Sequence, residues 1–180
     1  MISGEIKLIL GLIAGILLFP SFAKAEAKKV GDWFVSIEQD PISDKNKGTA
    51  AIGDADGNIL LITCNQDSDL TITLGVNLNY DAAPDELKQD GATFDMSMRT
   101  DKNSVRTMRV EADRTKSGKT AFGNADNSID AFGFLEDILA AKNRVVVAVG
   151  SDTHVFSARG APQVAKTLVE ACSIRLPDGL

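Results

Sequence analysis

The chain of 180 residues contains one histidine, one tryptophan, one tyrosine, two cysteines and five prolines. A lone histidine and two widely spaced cysteines cannot supply a Cys/His zinc site from a single chain, and any Ser-His-Asp arrangement would have to use His154. Basic side chains are in the minority, 19 against 25 acidic ones, with a pI near 4.8. That balance argues against a protein whose work is neutralising nucleic-acid phosphates. Fifteen glycines and five prolines are too few for a collagen-like or low-complexity chain. A mean hydropathy of −0.01 with 44% hydrophobic residues excludes intrinsic disorder.

Long apolar runs are also missing. The longest, Leu8 to Phe19, spans 12 residues, short of the roughly 20 that cross a bilayer as a helix. Lys7 precedes it, Pro20 ends it, and Ala23 and Ala25 supply small residues at a cleavage position. Residues 1–25 therefore read as a Sec-type signal peptide, with a permanent membrane anchor as the weaker reading. No cysteine follows the run to carry a lipid. Cleavage after Ala25 leaves residues 26–180 as a single β-rich domain with 24 acidic and 17 basic side chains. The expected location is periplasmic or secreted.

Both cysteines, Cys64 and Cys172, lie in that mature part. Export places them in an oxidising compartment, where an even pair commonly closes a disulfide. Two buried thiols acting as small hydrophobes are the alternative. Bridging a loop of this length is worth at most about 4.7 kcal/mol in the chain-entropy account.

Alternation of apolar and polar residues marks most of the chain as strand. Trp33, Val35 and Ile37 alternate up to Asp40-Pro41, and Asn46-Lys47-Gly48 reads as a turn before a strand over 49–53. Asp56-Gly57 between two apolar runs predicts a hairpin, followed by strands over 59–64 and 70–78. Phe94, Met96 and Met98 share one face of the next strand, and 105–112 returns with Arg106 and Arg109 exposed. A short strand at 120–122 precedes a change of period: Ile129, Phe132, Leu135, Ile138 and Leu139 predict an amphipathic helix, capped by Asn124, Asp126 and Ser128. Gly133 inside it costs up to about 1 kcal/mol relative to alanine. The valine-rich run 145–149 reads as a strand buried on both faces, 153–158 as another, and Gly160-Ala161-Pro162 opens a last helix that carries Cys172 toward the core. The fold class expected is α+β, mainly β: a single antiparallel β-sandwich or half-open barrel of about eight strands with two short helices.

Chemistry-bearing motifs are sparse. Asp54, Asp56, Gly57 and Asn58 lack the spacing of an EF-hand, whose glycine stands sixth and glutamate twelfth, and read as a hairpin turn. Ser151 and Asp152 adjoin His154, yet sequence neighbours on a strand seldom converge as a triad, and no Gly-x-Ser-x-Gly elbow is present. His154 reads as a sheet-packed or solvated imidazole. No metal, cofactor or catalytic residue is assigned. Arg99, Lys102, Arg106, Arg109, Arg114, Lys116 and Lys119 gather in one stretch of an otherwise acidic chain. Arg99, Arg106 and Arg109 could form a positive patch for an acidic envelope protein or an anionic surface component, the plainer reading being a solvated sheet face.

The order Trp33, Ser36, Asp40, Asp44, Leu61, Cys64, Leu70, Met98-Arg99-Thr100-Asp101, Phe132, Leu135, Phe156, Gly160, Ala165, Leu168 and Cys172 resembles the small exported proteins related to the type VI secretion-associated VasI family. That resemblance implies an accessory envelope role with no catalytic residues to carry over. The single tryptophan departs from the family pattern, which has further ones. Gly31-Asp32-Trp33 after a signal peptide also resembles the exported invasion-associated locus B proteins. The expected function is a non-catalytic periplasmic or secreted protein that binds or supports another envelope component. A small exported hydrolase and an inhibitor of a lytic enzyme are the alternatives.

Overall fold

Apolar side chains at every second position give each strand one face to bury, and short polar turns bring successive strands back antiparallel. A computed structural model describes residues 26–67, 69–89, 91–124 and 129–176. The proposed leader and the capping residues Asp126 and Ser128 lie outside the described residues. The strands are β1 (Lys28–Val30), β2 (Trp33–Gln39), β3 (Asn46–Gly53), β4 (Ile59–Asn65), β5 (Leu70–Asn79), β6 (Thr93–Thr100), β7 (Arg106–Arg114), β8 (Lys119–Asn124), β9 (Arg144–Val149) and β10 (Asp152–Ser157). The helices are α1 (Ile129–Leu139) and α2 (Ala161–Cys172), with two 3-10 turns at Tyr80–Ala82 and Asp85–Lys88.

All ten strands form one antiparallel sheet in the order β1-β2-β3-β4-β5-β8-β7-β6-β9-β10. The sheet curls into a half-barrel around the two helices, which pack on each other and on its inner face. Inner-face residues such as Leu60, Ile62, Ile72, Met96 and Val147 join Phe134, Leu135 and Ile138 of α1 and Val164 and Leu168 of α2 in a continuous core. The half-open barrel is thus the arm of the expectation that the fold meets: one curled sheet, not the two of a sandwich, with ten strands where about eight were expected.

The two ends of the sheet meet through specific bonds instead of a strand ladder. The indole Nε1 of Trp33, a fully buried residue, donates to the Ser157 carbonyl at 2.9 Å. Asp32 N donates to the Arg159 carbonyl at 2.8 Å, and the Asp32 carboxylate pairs with the Arg159 guanidinium. Gly31 and Gly160 permit the approach: a Cβ on Gly160, at φ 95°, would stand 1.9 Å from the Val30 carbonyl oxygen. Gly31-Asp32-Trp33 is thus the clasp of the half-barrel.

Several local expectations are corrected. Asn46-Lys47-Gly48 belongs to β3, paired with β2 and β4. The reversal lies before it, where Asp40 Oδ1 accepts from Ile42 N and Ser43 N and Asp44 takes a left-handed φ of 55°. Ile129 is exposed at the start of α1. The valine strand β9 buries Val145, Val147 and Val149, but Val146 and Ala148 are only half-buried, because among the described residues no layer covers the outer face of the sheet.

Cys64 and Cys172 form the expected disulfide, with their Cα atoms 6.1 Å apart. Cys64 ends the inner-face pattern of β4 and Cys172 the buried stripe of α2, so the bond ties the last helix to the sheet.

Candidate functional site

Successive residues of a strand point to opposite faces, so Arg106 and Arg109, three apart on β7, cannot share one. Arg106 lies opposite Met98 on the inner face, and Arg109 opposite Asp95 on the outer. Arg106 reaches α1, its Nε donating to Asp137 Oδ2 at 2.7 Å and its Nη2 to Oδ1 at 3.4 Å. The guanidinium crosses the helix at Gly133, where a Cβ would stand 2.3 Å from Nη1. The three-arginine patch is therefore corrected to two outward arginines, Arg99 and Arg109. Arg106 is an internal ion pair.

On the outer face Arg109 is engaged by Asp95, 3.7 Å away, and by the Thr93 hydroxyl. Arg99 lies opposite Val146 of β9, which in turn lies opposite Val155 of β10. Arg144, two residues before Val146 on the same face, is therefore a diagonal neighbour of Arg99, a separation of about 7–8 Å between such positions. Neither Arg99 nor Arg144 has an acidic partner within ion-pair distance among the described residues. Val155 is 52% exposed beside them, and Val105, just before β7, is 58% exposed. The result is a strip of two free guanidiniums with small apolar side chains, across the outer ends of β6, β9 and β10. Arg144 escapes the search for cation clusters because it lies outside the stretch from Arg99 to Lys119, with Lys142 as its one basic neighbour in sequence. Its parity with Val146 and Ala148 is the signal that places it outward.

His154 lies elsewhere, on the inner side of β10 at the open mouth of the half-barrel. Its imidazole is 13% exposed, with Nδ1 3.8 Å from Asp54 Oδ2. Asp54 is fixed by its own hairpin: Oδ1 accepts from Asp56 N and Asn58 N, and Oδ2 from Asn58 Nδ2. Burial pushes the Asp54 carboxyl up, but the Asn58 side chain, the Asn58 and Asp56 amides and neighbouring His154 together hold it below the usual carboxylate value. Those bonds account for the Asp54 to Asn58 segment as a turn. Next to His154 is a cavity of about 230 Å³, walled by Val76, Leu78, Leu87, Phe122 and Val149 and rimmed by Asn58, Asn77 and Asp152. Its lining holds histidine and carboxylate but no serine, threonine or cysteine. Ser151 is not part of it. No group of three or more metal-ligating side chains occurs among the described residues, and no described helix is long and apolar enough to cross a membrane.

No protein-family model and no curated protein matches the chain. Among solved structures it is similar in fold to invasion associated protein B from Bartonella henselae, with a TM-score of 0.50 over 81% of this chain and 96% of that one. Sequence identity is 9%. The likeness is one of fold. Nothing in these comparisons bears on the VasI family.

Proposed function

We propose that the protein is an exported, non-catalytic binding domain of the cell envelope, and that its outer strip is where a partner docks. The observation that carries this reading is the pair Arg99 and Arg144, which stand without an ion-pair partner among the described residues on one face of a chain with a formal charge of −6. At physiological ionic strength charges are screened beyond about 8 Å, so a partner in contact meets the arginines and not the net charge. A carboxylate that accepts from an arginine fork gains about 1.5–3 kcal/mol per bond in a partly dry contact. The partner this selects is an acidic envelope component, with the exposed valines providing apolar contact. The leader and the disulfide support an oxidising, exported setting.

Affinity capture from an envelope extract tests the reading, using the wild-type protein, Arg99→Glu/Arg144→Glu, and Lys166→Glu on α2 as a control. Partners retained by wild type and control but lost by the double variant support it. Partners retained by all three, or none at all, contradict it.

A second reading, inhibition of a lytic enzyme, is favoured by the loop Asp40 to Lys45. Hydrogen bonds to Asp40 brace that loop, and it presents Ile42, 94% exposed, between Asp40 and Asp44. Slower lysis of cell-wall substrate with the wild-type protein than with Ile42→Asp would select that reading.

A further inference from the structure

We propose that the cavity at the barrel mouth is a binding site for a small molecule with a compact apolar body and an ammonium head. The inference is independent of the outer-strip reading, because the two sites lie on opposite faces of the sheet.

Four separate parts of the chain build the wall. Val76 and Leu78 come from β5, Leu87 from the second 3-10 turn, Phe122 from β8 and Val149 from β9. Phe122 is braced edge-on by Phe94, ring centroids 5.8 Å apart. The space is thus preformed and apolar on most sides, as small-ligand sites in barrel mouths are.

The polar end combines His154 and Asp152 with Asn58 and Asn77, whose side-chain N–H groups already donate to Asp54 Oδ2 and to the Asp56 carbonyl. Asp152 supplies a carboxylate at the rim, and no lysine or arginine lines the cavity. The Asp54 carboxylate faces Nδ1 of His154 and favours the ring proton there. With the ring neutral Nε2 keeps its lone pair, and among the described residues this buried atom has no hydrogen-bond partner. An incoming N–H would satisfy it. Carboxylate, imidazole lone pair and apolar wall together select a donor-headed cation, and they reject an anion of the same shape through repulsion by Asp152 and Asp54.

The test is an NMR titration of the oxidised protein with phenethylamine, 2-phenylethanol and phenylacetate, which share a body and differ in head charge. The expected result is saturable shifts at Leu78, Leu87 and Phe122, with the amine at least tenfold tighter than phenylacetate. Asp152→Asn should weaken the amine at least tenfold, and Leu87→Trp, which fills the space, should abolish binding. Absence of saturable shifts at the mouth, equal affinity for amine and carboxylate, or unchanged amine binding in Asp152→Asn would overturn the assignment. Asp152 is exposed, so that variant decides the matter even if Leu87→Trp fails to fold.

Discussion

Arg106 and Gly133 act as one unit, since the arginine reaches Asp137 only because the helix carries no side chain where the guanidinium crosses. Arg106→Ala should cost about 1–3 kcal/mol by leaving the largely buried Asp137 carboxylate short of its partner. Gly133→Ala should destabilise in the same direction by displacing the arginine, and the double variant should cost less than the sum, all read from urea unfolding. From sequence both Arg106 and Arg109 read as exposed, although three positions along a strand reverse the face and so exclude a shared patch. That the target of Arg106 is a helix 31 residues away was not legible. Asp101 gives a pH prediction. Burial raises its carboxyl, but the backbone N–H groups of Lys142, Arg144 and Asn143 outweigh this and hold it below its ordinary value. A carboxyl lowered in the folded state adds stability that is complete above the unfolded value of about 3.9 and is lost as pH falls through the folded one. Asp101→Asn should therefore narrow the difference in urea midpoint between pH 7 and pH 3, and an unchanged difference would contradict this role.

At the scale of elements, period-2 alternation located the long strands and the 3.6 period both helices, because each buries one face against the same core. The failures have local causes. Lys28-Lys29-Val30 makes an edge strand of three residues, too short to show a period. Asn46-Lys47-Gly48 has turn composition, yet Gly48 is buried in β3, where a Cβ would stand 2.7 Å from Leu168 of α2 and 2.9 Å from the Cys64 sulfur. The glycine makes room for the helix and the disulfide, a need set by a segment more than a hundred residues away. The staple itself was legible from an even pair of cysteines and the expectation of an oxidising compartment. Cys172→Ala should lower unfolding free energy by about 2–5 kcal/mol, measured by denaturant titration. Wild type in reductant should fall to a similar midpoint.

For the molecule as a whole, the curl of the sheet decides what the surface offers. Closure rests on Trp33, Asp32 and Arg159, contacts with sequence separations above 120 that no local pattern reveals. It leaves a mouth on the inner side and an uncovered outer face, where register alone brings Arg99, Val146, Val155 and Arg144 together. Cation counting grouped Arg106 with Arg99 and Arg109 and missed Arg144, because proximity across β6 and β9 is a property of pairing. The measurement that bears most directly on the proposed function is the affinity of the captured acidic partner for wild type and for Arg99→Ala/Arg144→Ala by titration calorimetry at two salt concentrations. A loss of at least tenfold in the double variant, with a weaker salt dependence, is the predicted result. Equal affinity and equal salt dependence in the two proteins would contradict the assignment of the outer strip as the docking face.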